Sequence, residues 1–289
     1  MIDQSNGSPF GEFKGQGWIF LLEPVSSAAP YSIRRFADHP GTTGVLVGGP
    51  GILYLCRYTE SPFGMYDELS YSPGWYEHLN IGKYRLKATT KRITKSYVSC
   101  NENDVNMIRS NYGIPAEQAR FEWRALAPDQ VAVEITLPTH ERIIDLTFKQ
   151  SSLPIFTINS TSLISNEIDL AKLVPIVQPL LDGNQVPIPQ NLTPHSPLLE
   201  SAPLLKMYTS ISGNARLATL LRANTNERLF PPIEAAGVSR YGLEVMEMTM
   251  NLNPPEVVLD VVSPRELRTW RICTVVSNLI KSIVFRKIQ

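Results

Sequence analysis

The segment YTESPFGMYDEL, residues 58–69, places polar, aromatic and turn-forming residues in one short stretch. Three carboxylates and two tyrosines share it with Pro62 and Gly64, the two residues in it that favour tight turns. We therefore predict a strand that ends at Glu60, a turn through Pro62 and Gly64, and a returning strand that begins at Asp67.

Segments with the composition of β-strands surround this turn. Residues 17–57 are rich in apolar and β-prone residues, and Gly-Gly-Pro-Gly at 48–51 interrupts them with a strong turn signal. Apolar residues alternate with polar or small ones from Val131 to Leu137 and again over 243–253, a period of two that is typical of half-buried strands. Short strands at this spacing favour an antiparallel barrel or closed sheet.

Other segments interrupt the strand pattern. A short helix is expected to begin near Asp104 and to end at Gly113, because glycine and a following proline commonly terminate helices. Residues 150–240 contain many prolines and show no clean helical period until roughly 200–222, which predicts a wrapping or lid-like excursion.

The C-terminal residues have a different pattern again. Ser-Pro-Arg-Glu at 263–266 has the features of a helix start, and apolar residues then recur at helical spacing among basic ones. We expect one domain over residues 1–262 and an amphipathic basic helix over 263–289. The helix would dock on its own domain or on a second copy of the chain, and a membrane surface is the alternative.

Composition excludes several classes of function. The 289 residues carry 27 Lys plus Arg and 27 Asp plus Glu, and this neutral balance disfavours nucleic-acid binding. The three cysteines and four histidines form no metal-site or nucleophile motif, so neither a metal nor an organic cofactor is expected. The three cysteine thiols should be reduced. The N-terminus lacks a signal-peptide pattern and no apolar run has the length of a membrane span. These features predict a cytoplasmic protein with a small apolar partner.

Two further motifs carry a resemblance to a known family. RITKSYVS at 92–99 and SNYGIPAEQARF at 110–121 follow YTESPFGMYDEL in order, and FGEFKGQGWIFLLEP at 10–24 precedes it. With these motifs, the chain resembles the acetoacetate decarboxylase superfamily, in particular its fungal-type branch, over roughly residues 8–150. The resemblance implies a mainly β (α+β) fold, a closed cone-like antiparallel β-barrel around an apolar cavity, with a few short helices and a C-terminal helix.

The resemblance also implies a site that lacks the family's nucleophile. In decarboxylating members, a lysine after the proline of the last motif forms a Schiff base with a β-keto acid, and a second lysine lowers its pKa. Here Ala116 and Glu117 follow Pro115, and alanine cannot form an imine. The family's glutamate in the Tyr-Thr-Glu segment is Glu60, which the resemblance places in the cavity. Gln16 is the match for the family's substrate-contacting arginine.

The predicted catalytic residue is therefore Glu60, because an apolar cavity favours a neutral carboxyl that can act as general acid and base. The substrate-binding residues that the two motifs predict are Tyr58, Met65, Tyr66, Ile114, Ala116, Glu117 and Gln16.

The predicted function is that of a cofactor-independent lyase, isomerase or cyclase of secondary metabolism. It would dehydrate, isomerise or cyclise a largely apolar, polyketide- or terpenoid-like substrate. One alternative is a non-catalytic binding or carrier protein for an apolar metabolite. The other is a β-keto acid decarboxylase that uses a relocated lysine, for which the nearest in sequence are Lys83, Lys87, Lys91 and Lys95.

Overall fold

A computed structural model describes residues 10–22, 45–78, 88–151, 156–159, 176–179, 204–207, 209–233 and 238–258. The predicted C-terminal helix, most of the proline-rich segment and Cys273 lie outside these ranges. Within them the chain is almost entirely β-strand, which confirms the predicted mainly β fold.

The strands up to residue 127 are β1 (Gly11–Leu22), β2 (Val45–Gly48), β3 (Gly51–Glu60), β4 (Tyr66–Ser72), β5 (Trp75–His78), β6 (Ala88–Lys91), β7 (Lys95–Val98), β8 (Ala116–Gln118) and β9 (Arg120–Ala127). The later strands are β10 (Gln130–Thr136), β11 (Arg142–Gln150), β12 (Phe156–Asn159), β13 (Ile176–Pro179), β14 (Leu204–Met207), β15 (Thr209–Thr225), β16 (Val238–Leu252) and β17 (Glu256–Val258). The helix α1 (Glu102–Tyr112) lies between β7 and β8.

The main sheet curls so far that its two ends meet. Its strand order is β8-β7-β4-β3-β1-β16-β15-β11-β10-β9, with β12 paired to β15 beside this path. The end strands β8 and β9 are consecutive in the chain and are separated by Ala119, whose N–H donates to the carbonyl of Val98 on β7. The chain therefore passes directly from β8, at one edge of the sheet, to β9, at the other edge, as it does in a barrel.

Large apolar side chains fill the face of the sheet that the curl encloses. Tyr97 of β7 and Val133 of β10 lie in the same buried cluster although their strands are at opposite ends of the sheet. Trp18 of β1 and Phe148 of β11 are also in it, with ring centroids 5.0 Å apart. We call this cluster the barrel core.

A second buried cluster lies on the opposite face of the same strands. Alternation along β7 sends Val98 to this face while Tyr97 points into the barrel core. The helix α1 contributes Ile108 and Tyr112, and β14 of the second sheet contributes Met207. We call this cluster the second core. The second sheet has the strand order β17-β14-β13-β6-β5-β2.

Local signals place the helix and the turn where the sequence predicts them. The side chain of Asn101 accepts a hydrogen bond from the N–H of Asp104 and caps the start of α1, while Gly113 ends it with a φ of 65°. Gly64 has a φ of 78° in the turn between β3 and β4, and its N–H donates to the carbonyl of Ser61 at 3.0 Å. No helix in the described ranges is long and apolar enough to cross a membrane.

Candidate functional site

A row of cross-strand partners brings the predicted motifs together on the second-core face. Tyr54 of β3 is opposite Ser70 of β4, Ser70 is opposite Ser96 of β7, and Ser96 is opposite Ala116 of β8. Opposed residues in a sheet point to the same face, and Ala116 is buried in the second core. The two hydroxyls of this row therefore lie on the same face as the alanine.

Glu68 occupies the next row on this face and is the centre of the polar contacts. It stands opposite Cys56 of β3 and two residues before Ser70, so that its side chain has the same direction. Its Oε1 accepts a hydrogen bond from Oγ of Ser70 at 2.6 Å, and its Oε2 accepts one from Oη of Tyr58 at 3.4 Å. Burial raises the pKa of this carboxyl, and these two hydrogen bonds partly oppose the rise. The neutral acid is thus favoured relative to a carboxylate in water.

The hydroxyls form a directed chain toward Glu68. Ser70 Oγ lies 3.0 Å from Ser96 Oγ as well as 2.6 Å from Glu68 Oε1. A hydroxyl has a single proton, so Ser70 can donate to only one of these oxygens at a time. When it donates to Glu68, Ser96 donates to Ser70, and the chain of donors runs from the row of Ala116 to the carboxyl.

Neutral aromatic and thiol groups surround this carboxyl. The rings of Tyr58 and Tyr66 have centroids 4.7 Å apart, and the ring of Phe13 packs edge-on against Tyr58 at 5.4 Å. Burial raises the pKa of both tyrosines well above the ordinary value. Burial also raises the pKa of the Cys56 thiol to about 12, so this cysteine is a protonated thiol at neutral pH and not a nucleophile.

The polar face continues beyond Ser70 into buried groups with unused hydrogen-bonding capacity. Ser72 lies two residues after Ser70 on β4, so its side chain has the same direction. The N–H of Thr94 donates to the carbonyl of Tyr71 at 2.9 Å, one residue out of the β4–β7 register, so the regular pairing ends at Tyr71 and Lys95. Gln178 of β13 points toward the same layer, because Ile176 two residues earlier packs on the second core. Ser72 Oγ, Thr94 Oγ1 and Gln178 Nε2 are buried, and among the described residues they have no hydrogen-bond partner. Buried polar atoms normally have partners, so these three positions suit a polar ligand. We call Glu68, Ser70, Ser72 and Ser96 the polar ladder.

Comparison with known proteins rests on structure. No protein-family model and no curated protein matches the chain. The crystal structure of acetoacetate decarboxylase from Legionella pneumophila superposes with a TM-score of 0.54 at 13% identity, covering 87% of this chain and 88% of that one. The enduracididine biosynthesis enzyme MppR, in its complex with pyruvate, superposes with a TM-score of 0.52 at 11% identity, covering 90% of this chain and 93% of MppR. The chain has the acetoacetate decarboxylase fold. The fold that the motifs predicted is thereby confirmed.

Four of the predicted site residues lie together on the second-core face of the acetoacetate decarboxylase fold. Tyr58 and Tyr66 contact each other beside Glu68, while Ile114 and Ala116 are buried in the second core. Ala116 takes the position that the resemblance assigns to the Schiff-base lysine, and only 1% of it is exposed. These four residues stay predicted substrate contacts.

Glu60 does not have the predicted surroundings. It was expected in an apolar cavity, but 67% of its side chain is exposed and Nζ of Lys14 lies 3.0 Å from its Oε2. The pairing of β1 with β3 shifts between Lys14 and Gly15, and this irregularity breaks the alternation that would align Glu60 with Tyr58. Lys14 follows Phe13, which packs on Tyr58, so Lys14 and its partner Glu60 point away from the tyrosines. The expected burial of Glu60 is wrong, and its catalytic role stays a prediction.

Three other predicted contacts lie apart from this group. Met65 is 80% exposed at the turn. Glu117 follows Ala116 and points to the other side of β8, where its Oε1 lies 2.8 Å from Nζ of Lys95. Gln16 is on the barrel-core face, where its side chain donates to Glu244. None of the three adjoins Glu68 in the structure, and the sheet itself separates Gln16 from Ala116.

Glu68, which is not among the predicted site residues, is the carboxylate at the centre of these polar contacts. Glu68 alternates with Tyr66 and Ser70 along β4, whereas Asp67 points to the other face. The alternation of Tyr66, Glu68 and Ser70 was a usable signal. Period two alone, however, does not say which face of a strand will be covered by a helix and a second sheet.

Proposed function

We propose that this chain is a cofactor-independent enzyme that moves a proton on a small carbonyl compound, with Glu68 as the general acid and base. The observation that carries the proposal is a partly buried carboxyl, hydrogen-bonded by Ser70 and Tyr58, on the same face as Ala116. Burial raises its pKa and makes the carboxylate a stronger base than an exposed one, which suits a group that must both accept and return a proton.

The polar ladder supplies the remaining parts of such a reaction. The hydroxyl of Ser72 has no hydrogen-bond partner among the described residues and could donate to the carbonyl oxygen of a substrate. Glu68, as carboxylate, would remove a proton from the adjacent carbon and become the neutral acid, which leaves an enolate whose oxygen accepts this hydrogen bond. Glu68 would then return the proton at the same or another atom. Return of the proton to the same carbon is exchange, and return to a different carbon is isomerisation. Delivery of the proton to a β-hydroxyl, which leaves as water while the enolate collapses to a conjugated carbonyl, is dehydration. General acid–base catalysis of this kind is worth about 10²- to 10⁴-fold in rate.

An imine mechanism has no lysine at the family's position. Ala116 stands there, and the lysine of the neighbouring strand, Lys95, points away with its Nζ bound to Glu117. Lys91 of β6 is buried, but its Nζ donates to the carbonyl of Pro50 and lies 5.0 Å from the ring centroid of Trp75. Proton transfer without a covalent intermediate is therefore the chemistry that these side chains support best.

The proposed substrate has a carbonyl head and a largely apolar body. The second core around the polar ladder consists of aromatic, aliphatic and methionine side chains, which suit a polyketide- or terpenoid-like compound. MppR, which shares the fold, is an enzyme of enduracididine biosynthesis and has been crystallised with pyruvate. A place in secondary metabolism and a 2-keto compound as the first probe follow from that likeness.

The test is deuterium exchange at C3 of pyruvate, and of a longer 2-keto acid with an apolar chain, followed by proton NMR in heavy water. We expect the protein to accelerate exchange and Glu68→Gln to remove about 10²-fold or more of that acceleration. Glu122→Gln changes an exposed glutamate on β9 and should leave the rate as it is.

The Glu60→Gln variant distinguishes a catalytic role of Glu60 from one of Glu68. Loss of exchange in Glu60→Gln with full exchange in Glu68→Gln would refute the role of Glu68 and restore the sequence-based assignment. Binding of a keto acid with no exchange above the buffer rate would favour the carrier function instead.

A further inference from the structure

A cavity unconnected with the polar ladder lies at the end of β11. It has a volume of about 380 Å³ and is lined by the Pro128–Asp129 turn, Lys149, Gln150, Ser151, Arg216 and Thr219. Here β15 passes from its pairing with β12, over residues 212–215, to its pairing with β11, over residues 218–225. Arg216 therefore lies in a gap between two strand partners, and its side chain can reach the cavity.

A buried carboxylate holds Arg216 in one orientation. Nε of Arg216 donates to Oε2 of Glu244 at 2.7 Å and its Nη2 donates to Oε1 at 3.0 Å, which is the bidentate geometry of a strong ion pair. Glu244 has no exposed surface, whereas 24% of the Arg216 side chain is exposed. Glu244 also accepts hydrogen bonds from Gln16 and from Gln150. Four donor groups thus converge on Glu244, and the accessible edge of the guanidinium is the one turned away from it.

The residues that line the cavity carry more cationic groups than carboxylates. Arg216 and Lys149 both line it, and the carboxylate among the lining residues is Asp129, whose Oδ2 lies 3.0 Å from Nζ of Lys149. Glu244 lies behind the guanidinium and is absent from the lining. Thr219 and Ser151 add hydroxyl-bearing side chains to the wall.

We propose that this cavity binds a small organic acid, with its carboxylate on the accessible edge of Arg216 and its body against Thr219 and Pro128. A guanidinium already fixed by a buried partner loses little side-chain entropy when a second carboxylate binds. The volume lies at the lower end of the range for small-molecule sites, which suits a compound of few heavy atoms. Asp129 and Glu244 repel a second negative charge, so a monoanion fits better than a dianion.

The experiment compares propionate with propionamide, which has nearly the same shape and no charge. Binding to the full chain is measured by ligand-observed NMR titration. We expect a Kd for propionate on the order of 1 mM, since small ligands bind with limited total energy. Propionamide should bind about tenfold more weakly or worse, because the charge-assisted hydrogen bond to the guanidinium is lost. Inorganic phosphate should also bind more weakly than propionate.

Matched double variants test whether Arg216 binds the carboxylate of propionate. Arg216→Gln with Glu244→Gln removes both charges together, which avoids leaving a buried charge unpaired. It should weaken propionate binding about tenfold. The control is Arg222→Gln with Asp145→Asn, an ion pair of 3.6 Å between β15 and β11, which should leave the affinity unchanged. Urea unfolding of each variant shows that it is folded.

Four results would overturn the proposal. The first is no detectable binding of propionate at about 10 mM, ten times the expected Kd. The second and third are equal binding of propionate and propionamide, and binding of phosphate as tight as that of propionate. The fourth is unchanged propionate binding in the Arg216/Glu244 double variant.

Discussion

The raised pKa of Glu68 predicts a pH-dependent difference in stability between the protein and its Glu68→Gln variant. The ordinary pKa of a glutamate is 4.5, and burial raises that of Glu68 in the folded state. A carboxyl with a raised folded pKa contributes stability that is complete below the unfolded pKa and is lost as the pH rises through the folded pKa. Glutamine does not titrate, so the variant keeps its stability over this range.

The size of the effect has two parts. Each whole unit by which the folded pKa exceeds 4.5 contributes about 1.4 kcal/mol to the difference at neutral pH. Replacing the hydrogen bonds from Ser70 and Tyr58 adds a constant offset of about 1 kcal/mol, because glutamine can still accept one of them. The offset shifts the whole curve and leaves its slope unchanged.

Urea unfolding at a series of pH values, from about 4.5 upward, measures both parts. The free energy of unfolding of the variant minus that of the wild type should rise with pH and then reach a plateau above the folded pKa. Ser70→Ala gives a second comparison, because it keeps the carboxyl but removes the hydrogen bond that lowers its pKa, so the loss of stability with pH should be larger. A difference between wild type and Glu68→Gln that is constant or falls with pH would refute the reasoning.

Three further predictions concern other parts of the chain. Arg216→Ala should lower the free energy of unfolding by about 3–5 kcal/mol in urea titrations, because it leaves the buried Glu244 unpaired, and changing both residues to glutamine should cost less. Gly49→Ala should lower the free energy of unfolding by about 2 kcal/mol or more, since a Cβ there would lie 1.7 Å from the Trp75 ring. Gly64 has a similar positive φ but open space around it, so Gly64→Ala should cost about 1 kcal/mol in the same assay. Borohydride added with pyruvate should leave the intact mass of the protein unchanged, and a lysine adduct would favour a relocated Schiff base over proton transfer.

The strands and the turn of the opening segment could be predicted because their signals are local. Pro62 and Gly64 turn the chain between β3, which ends at Glu60, and β4, which begins at Tyr66. The helix α1 begins at Glu102, two residues before its expected start, and ends at Gly113 as expected. The order of the motifs also led to the fold that the structural comparison confirms.

The partial burial of Glu68 and the exposure of Glu60 could not be predicted in the same way. Period-two alternation from Tyr58 places Glu60 on the tyrosine face, and a single irregularity in the pairing of β1 with β3 reverses that assignment. Gln16 is a second case, because its distance from Ala116 depends on which face of β1 lines the barrel core. Both positions depend on how strands pair and on which face of the sheet is covered, which the sequence of one strand does not specify.

The amino-acid sequence by itself determined the mainly β architecture, the turn at Pro62 and Gly64, and the absence of a lysine at position 116, because these follow from residue identity and local conformational preference. The tertiary structure decided that Glu68 is the partly buried glutamate of YTESPFGMYDEL and that Glu60 is the exposed one. Glu68 loses water because α1 and the second sheet cover its face of β4, while Glu60 stays exposed beside Lys14. Burial depends on elements that are distant in the chain, and the chemistry of a carboxyl depends on burial.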